Sequence, residues 1–118
     1  MSTTTQDRGT LAVSTTAVAT RINIAREYSR FPAGRYRTDG PYSGERFRDE
    51  VLVPALRRGG QVEVELDGTA GYGSSFLEEA FGGLIRKHVL SVTEAADRIR
   101  LVTSDDSLES EIRGYMQR

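Results

Sequence analysis

The segment GTAGYGSSFLEEAFGG, residues 68–83, combines glycines and serines in a spacing typical of a turn between a strand and a helix. Such a turn can cradle a nucleotide phosphate with its backbone N–H groups. It can present a serine hydroxyl as a nucleophile or as a phosphate acceptor, or it can be only a tight turn. His88 is the one histidine that the chain offers as a general base. The chemistry of the chain therefore depends on which motif fits.

Three motifs for catalysis or nucleotide binding fit this segment poorly. A P-loop needs a lysine where Ser74 stands. The dinucleotide fingerprint matches Gly71 and Gly73, but Phe76 replaces its third glycine and would block close packing of helix on strand. The nucleophile elbow is absent, and His88 lies about four helical turns beyond Ser74, too far to act as its base. We therefore expect a protein that is not an enzyme and that needs no cofactor.

The simplest interpretation of the serine pair is helix capping. Ser74 or Ser75 would be the N-cap of a helix directly after a strand, with its hydroxyl accepting from the first free amides. The same position tolerates a phosphate, because a helix N-terminus carries a partial positive charge and free N–H donors. Capping and phosphorylation therefore both remain open for this pair.

The same helix contains four further residues whose presence needs an explanation. Glu78 and Glu79 lie on its polar side near the helix start, which indicates either a solvated acidic face or a docking surface beside the serines. Gly82 and Gly83 lie inside the helix, where each glycine costs roughly 1 kcal/mol relative to alanine. Either another backbone approaches these glycines, or a partner needs a flat patch there.

The composition is that of one soluble globular domain. The 118 residues are 37% hydrophobic and 28% charged, which suffices for a modest core. A net charge of −1 provides no general attraction to nucleic acid or membranes. With no cysteine and one histidine, the chain cannot form a disulfide, a thiolate metal site or an all-histidine metal site. The N-terminus, MSTTTQDRGT, lacks the apolar middle of a signal peptide, and we expect a cytoplasmic protein without a membrane span.

The elements that must position the turn are read from hydrophobic periodicity. Alternation predicts strands over 21–27, 61–67 and 98–104, and a possible edge strand over 11–18. Helical spacing predicts one helix that follows the serine turn and one at the C-terminus, whose cap is Asp105 or Asp106. Another begins after Ser43, ends at Gly59 and contains Pro54, where we expect a kink or a restart in a final turn.

This order of elements predicts an α/β fold with a small, mainly parallel sheet. Strands covered on both faces read as continuous apolar runs, and these strands alternate instead. The helices are therefore expected chiefly on one face. On the other, polar face, Glu63 and Glu65 would lie beside arginines of the neighbouring strands.

The order of elements, with VEVELDGTAGYGSSFLEEAFGGLIRK at its centre, resembles the STAS domain of bacterial anti-sigma factor antagonists. The chain is more similar still to the STAS-like domain family of unassigned function. In that family a segment like YSGERFRDEVLVPAL precedes a strand and a segment like SSFLEEAFGGL follows it. The resemblance covers about residues 20–118, and implies one STAS-like domain there after a flexible segment 1–19.

In the antagonists, a serine at this turn is phosphorylated by a partner kinase with a GHKL-type ATP-binding fold, and phosphorylation ends the binding that frees the sigma factor. The matching serine is Ser74, with Ser75 beside it; the antagonists carry an aspartate before the pair and a glycine after it, where this chain has Gly73 and Phe76. The resemblance implies a non-enzymatic regulatory interaction module with Ser74 and Ser75 as candidate phosphorylation sites. The residues expected to contact the partner are Gly71, Tyr72, Gly73, Phe76, Glu78, Glu79, Gly82 and Gly83.

An alternative function lies in segment 26–48, where arginines alternate with aromatic residues. Guanidinium groups can hold phosphates while aromatic rings stack on bases, as in proteins that bind single-stranded nucleic acid. The alternative prediction is a small nucleic-acid or nucleotide-binding protein. Salt-dependent binding to single-stranded DNA or RNA would favour it, and a 1:1 complex with an ATP-binding, kinase-like protein would favour the regulatory module.

Overall fold

A computed structural model describes residues 17–118 of the protein. Three parallel strands form one open sheet in the order β1-β2-β3, with β1 at Val18–Asn23, β2 at Gln61–Glu65 and β3 at Ile99–Val102. The predicted α/β class with a small parallel sheet is thereby confirmed. Residues 1–16 of the flexible segment expected over 1–19, and most of the possible edge strand over 11–18, lie outside the described residues, whereas Val18 and Ala19 form the start of β1 and are not part of a flexible segment.

Five helices accompany the sheet in the described part of the chain. Helix α1 is a single turn, Ile24–Glu27, and a 3₁₀ turn follows at Arg37–Asp39. Helix α2 spans 44–57 and helix α3 spans 74–86; in each, a π-helical stretch, Arg48–Leu52 or Glu78–Gly82, lies between two α-helical ends. Helix α4 is Val92–Arg98 and helix α5 is Asp106–Tyr115.

The two faces of the sheet differ as the alternation predicts. One face is buried and contributes to the core Ile22, Val62, Val64, Ile99 and Leu101. On the other face, the carboxylate of Glu63 lies between the Nε atoms of Arg21, at 3.3 Å, and Arg100, at 3.4 Å. The Glu65 carboxylate accepts a hydrogen bond from the Asn23 side chain at 3.0 Å, so its expected arginine partner is replaced by an amide.

The strand predicted over 21–27 is too long at its C-terminal end. The side chain of Asn23 accepts a hydrogen bond from the backbone N–H of Arg26 at 3.0 Å and thereby caps α1. Asparagine is strongly preferred as an N-cap and is depleted in strands, so the chain turns into a helix at this residue. The strand therefore ends at Asn23 and starts earlier, at Val18.

Helix α2 confirms the predicted cap and the expected restart. The Ser43 hydroxyl accepts from the backbone N–H of Arg46 at 3.2 Å. Pro54 lacks a backbone donor and would clash with the carbonyl of Glu50 in a regular α-helix. The wider π-helical turns of Arg48–Leu52 precede it, and a final α-helical segment, Val53–Arg57, restarts with the proline in its first turn.

Helix α4 was not predicted, although a local signal for it exists. Ser91 is its N-cap, and the Ser91 hydroxyl and the Glu94 carboxylate each accept from the other's backbone N–H, at 3.1 and 2.8 Å. The S-x-x-E capping box of the segment SVTE, residues 91–94, predicts that a helix begins here. The apolar periodicity that identifies longer helices is missing, because Ala95 is the only buried residue of α4.

Candidate functional site

The predicted serine turn lies at the edge of the sheet where all three strands end. Because the strands are parallel, the loops that follow them meet there. The loop after β1 is joined to the turn by a hydrogen bond from Ala70 N–H to the Arg30 carbonyl at 2.8 Å. The loop after β3 is joined to it through Asp67, whose carboxylate accepts from the Thr103 hydroxyl at 2.9 Å and from the Ser104 N–H at 3.1 Å. We call this meeting point the carboxyl-end face.

The prediction that Ser74 or Ser75 caps helix α3 is wrong. The N-cap is Gly73, in an extended conformation and without a side chain to accept a hydrogen bond. Ser74 and Ser75 are the first two residues of the helix itself, and both are exposed. Their hydroxyl groups therefore do not cap α3.

Ser74 lies beside the last turn of α5. The hydroxyl of Tyr115 donates a hydrogen bond to the Glu111 carboxylate at 2.6 Å. This hydrogen bond, together with burial, raises the pKa of Tyr115, and the neighbouring Ser74 hydroxyl acts in the opposite direction. A negative charge added at Ser74 would therefore be close to the carboxylate of Glu111.

The glycines of the turn are open to solvent. Gly71 has φ of +137°, a conformation that side chains rarely adopt, and a Cβ added at Gly71 or Gly73 would have no neighbour within 4 Å. Between them, Tyr72 is half-buried and its hydroxyl donates to the Leu66 carbonyl at 2.6 Å. Burial raises the pKa of Tyr72. The turn is thus anchored to the end of β2 by one aromatic side chain.

Half of the residues predicted to contact a partner are buried. Phe76 is fully buried in the core, and Glu79, Gly82 and Gly83 are also inaccessible. The prediction that these four residues present a contact surface is therefore corrected, since they pack within the domain. The exposed members of that set are Gly71 and Gly73, next to the serines, while Tyr72 and Glu78 are half-buried.

The acidic pair in α3 is neutralised by three arginines rather than solvated. Arg35 contacts Glu78 at 2.5 Å and Glu79 at 3.2 Å. Arg86 contacts the same two carboxylates at 2.6 and 3.0 Å, and Arg48 contacts Glu79 at 2.6 Å. Burial raises the pKa of Glu78, but hydrogen bonds from Arg86 and Arg35 outweigh it and hold that pKa below the ordinary value. This ion-pair cluster of five side chains replaces the acidic docking surface that the sequence suggested.

The ion-pair cluster also explains the two glycines inside α3. A Cβ at Gly83 would lie 2.5 Å from the Arg48 guanidinium. A Cβ at Gly82 would lie 2.8 Å from the Glu78 carboxylate and 3.3 Å from the carbonyl oxygen of Tyr115. The predicted approach of another backbone therefore holds for Gly82, beside the Tyr115 carbonyl, whereas the group that approaches Gly83 is the Arg48 side chain.

The sequence placed Phe31 among the aromatic residues of the nucleic-acid alternative but not among the residues expected to contact a protein partner. Its side chain is 71% exposed, the highest value among the large hydrophobic side chains of the described residues. It belongs to the loop after β1 that is hydrogen-bonded to the serine turn through Arg30 and Ala70. The signal in the sequence is an aromatic residue inside a proline- and glycine-rich loop, where no periodicity offers it a buried face.

Most arginines of segment 26–48 are occupied by carboxylates. Arg35 and Arg48 belong to the ion-pair cluster, and Glu50 binds Arg37 at 2.6 Å and Arg46 at 3.0 Å. Within residues 17–118, Arg26 and Arg30 are the arginines of this segment that make no ion pair. Among its aromatic residues, Phe47 is fully buried and the Tyr28 hydroxyl donates to the Ser43 carbonyl at 2.8 Å. Phe31, Tyr36 and Tyr42 remain exposed, so what the segment lacks for nucleic-acid binding is mainly unpaired arginines to hold the phosphates.

A cleft of about 320 Å³ lies between the serine turn and the loop after β3. Hydrogen bonds from Thr103 and Ser104 hold the pKa of Asp67 below its ordinary value, and hydrogen bonds from Ser107 and Leu108 do the same for Asp105. These carboxylates therefore brace the loops.

Within residues 17–118, no group of three or more acidic or histidine side chains could hold a metal ion, and no helix is long and apolar enough to cross a membrane.

Comparison with known proteins identifies a family for this chain. Residues 43–109 match the model of a family described as a STAS-like domain of unknown function. The match includes helix α2, strand β2, the serine turn and helix α3. No curated protein and no solved structure matches the chain significantly.

Proposed function

The chain belongs to this STAS-like domain family, and from that premise we propose that it is a non-enzymatic regulatory module of the bacterial cytoplasm. Its partner in this proposal is a protein with a GHKL-type ATP-binding fold. The resemblance to anti-sigma factor antagonists suggests this partner. The unphosphorylated domain binds it, and phosphorylation of Ser74 ends the binding.

The observation that carries the proposal is the placement of Ser74. Ser74 is exposed, its hydroxyl does not cap the helix because Gly73 is the N-cap, and it lies in the first turn of a helix, where the helix dipole favours a negative charge. An accessible hydroxyl at this position is what a kinase needs as acceptor. A phosphate there would introduce nearly two negative charges beside the Glu111 carboxylate and into the contact with the partner.

The proposed contact surface is smaller than the sequence suggested and lies at the carboxyl-end face. It comprises the exposed backbone at Gly71 and Gly73, the serines that follow, and the side chain of Phe31. Exposed apolar groups on a rigid frame beside flat glycine backbone are typical of protein docking sites. The nucleic-acid alternative is not adopted, because most arginines of segment 26–48 are already paired.

Calorimetric titration against a partner recovered by pull-down tests the proposal. Ser74→Ala should bind like the wild type, whereas Ser74→Glu should bind at least about tenfold more weakly because its charge is desolvated in the contact. The matched control is Thr93→Glu, which adds the same charge to the exposed first turn of α4. Equal affinities of the wild type and Ser74→Glu for the partner would refute the switch. In a separate assay, the protein is incubated with the partner and ATP, and we expect mass spectrometry to find the phosphate on Ser74.

A further inference from the structure

A second cleft, of about 420 Å³, opens at the far end of α3 from Ser74. Its floor is apolar, formed by Val53, Leu56 and Val89. Its remaining lining residues are basic or potentially basic: Arg57, Lys87, His88 and Arg98. The volume lies within the roughly 300–1,000 Å³ of small-molecule sites. No acidic residue is among the lining residues in the described part of the chain.

One cation of this cleft is held in place by the fold. Arg98 donates from Nε to the Gly60 carbonyl at 2.8 Å and from Nη2 to the Leu56 carbonyl at 2.6 Å. Its guanidinium group is therefore fixed before any ligand arrives, which reduces the entropy lost on binding. An anion in the cleft would meet a preorganised positive charge.

Two other cations of the cleft, Arg57 and Lys87, do not bind the carbonyl groups at the ends of their own helices. Basic residues often stabilise the last carbonyls of a helix. Here those carbonyls accept backbone N–H groups, since Gly59 donates to Leu56 while His88 and Val89 donate to Ile85 and Leu84. The one basic side chain that joins them, at Leu56, is that of Arg98 and not that of Arg57 or Lys87. The side chains of Arg57 and Lys87 make no hydrogen bond or ion pair with any residue of 17–118. They are exposed and available to a ligand.

The backbone brings the imidazole to the same cleft. His88 has φ of +60°, in the left-handed region, and ends α3 at a position where glycine is the usual residue. A glycine would satisfy the backbone there without strain but would offer no side chain. The imidazole adds a further potential hydrogen-bond donor to the two exposed cations.

We propose that this cleft binds a small phosphate monoester that carries an apolar group. The phosphate would be held by Arg57, Lys87 and His88 over the fixed charge of Arg98, and the apolar group would rest on Val53, Leu56 and Val89. Charge-assisted hydrogen bonds to a phosphate dianion are the strong ones among protein hydrogen bonds. The site lies away from the carboxyl-end face and does not depend on the proposed partner.

Titration of the full chain with phenyl phosphate at pH 7.5, followed by amide chemical shifts, tests this site. We expect saturable shifts at residues 87–89 and weaker binding of inorganic phosphate, which cannot use the apolar floor. Lys87→Ala and Arg57→Ala should each weaken binding at least about tenfold, the loss expected for one charge-assisted hydrogen bond. Arg26→Ala, which removes an exposed arginine at the opposite end of the sheet, should have no effect.

Three results would overturn the proposal. One is the absence of saturable shifts around the cleft although the melting temperature shows folded protein. A second is that Arg26→Ala weakens binding as much as Lys87→Ala and Arg57→Ala do, which would show that only the overall charge of the protein matters. The third is binding of a phosphotyrosine peptide tenfold or more tighter than phenyl phosphate, which would assign the cleft to a protein segment instead of a small molecule.

Discussion

Arg48 and Glu79 form a buried ion pair between the π-helical stretches of α2 and α3. Nη1 of Arg48 donates to the Glu79 carboxylate at 2.6 Å and to the Glu79 backbone carbonyl at 3.0 Å, while the two side chains are 1% and 5% exposed. A guanidinium group this deeply buried needs both a counter-charge and space for its planar head. Gly83 provides the space, since a Cβ there would lie 2.5 Å from Nη1.

Gly83→Ala should therefore destabilise the protein, in contrast to the usual benefit of alanine inside a helix. The new methyl group would displace Arg48 from Glu79, and we expect a loss of about 2 kcal/mol or more in the free energy of unfolding. Urea denaturation measures it. The matched control is Gly114→Ala inside α5, where the added Cβ meets nothing within 4 Å, and it should not lower the free energy of unfolding. Equal stabilities of the two variants would contradict this account of the glycine.

Arg48→Met should be more damaging alone than together with Glu79→Leu. Removing the arginine leaves a carboxylate buried with only part of its compensation from Arg35 and Arg86, and breaking such a pair costs about 3–5 kcal/mol. The double variant removes both charges and should recover much of that loss, because hydrophobic replacements of buried ion pairs are often tolerated. A double-mutant cycle from urea denaturation gives the coupling energy. Additive effects of the two substitutions would show that the pair contributes no stability.

Acidification should weaken the fold through Glu78. Its pKa is held below the ordinary value of 4.5 despite burial, because Arg86 and Arg35 donate hydrogen bonds to it. A carboxylate whose pKa is lower in the folded than in the unfolded state stabilises the fold above the unfolded pKa. That contribution disappears as the pH falls through the folded pKa. Stability should thus decrease from about pH 5 downward, measured as the urea midpoint at each pH.

Glu78→Gln should reduce this pH dependence, because the glutamine does not titrate. The difference in stability between wild type and variant should be largest near pH 7 and should shrink as the pH falls. Glu109→Gln is a suitable control, since within residues 17–118 Glu109 makes no ion pair. A constant difference between Glu78→Gln and wild type across the pH range would show that the carboxylate is not stabilised by its arginines.

Local patterns predicted the three strands and the three longer helices, but they missed the short helices α1 and α4 and the charged contacts. The alternation of Val62 and Val64 with glutamates identified β2, and Ser43 and Asp105 identified two helix starts. Each of these signals depends on neighbours within a few residues. Helix α4 has one buried residue, Ala95, so burial periodicity could not reveal it.

The burial of Glu79 depends on a residue 31 positions away. Within its own helix Glu79 stands beside Glu78 and is read as part of a polar face, which is the ordinary place for a glutamate. Only the packing of α2 against α3 brings Arg48 to it. A single sequence contains no local sign of this pairing, and the predicted acidic surface was wrong for that reason.

The predicted cap was wrong for a different reason. The choice of Gly73 over Ser74 as the cap shifts the helix start by one residue, which is within the usual uncertainty of helix ends.

Phe31→Ala tests the carboxyl-end face as a docking surface. The side chain is 71% exposed, so its removal should change the free energy of unfolding by less than about 0.5 kcal/mol. If the face docks the partner, an exposed aromatic at its edge should contribute a large share of the contact, and Phe31→Ala should weaken binding at least about tenfold. Val92→Ala, which trims a 40% exposed apolar residue in the first turn of α4, is the control and should leave the affinity unchanged. Titration calorimetry with the partner used for Ser74 measures both variants. If Phe31→Ala binds the partner with wild-type affinity, the loop after β1 does not belong to the contact, and docking is restricted to the serine turn.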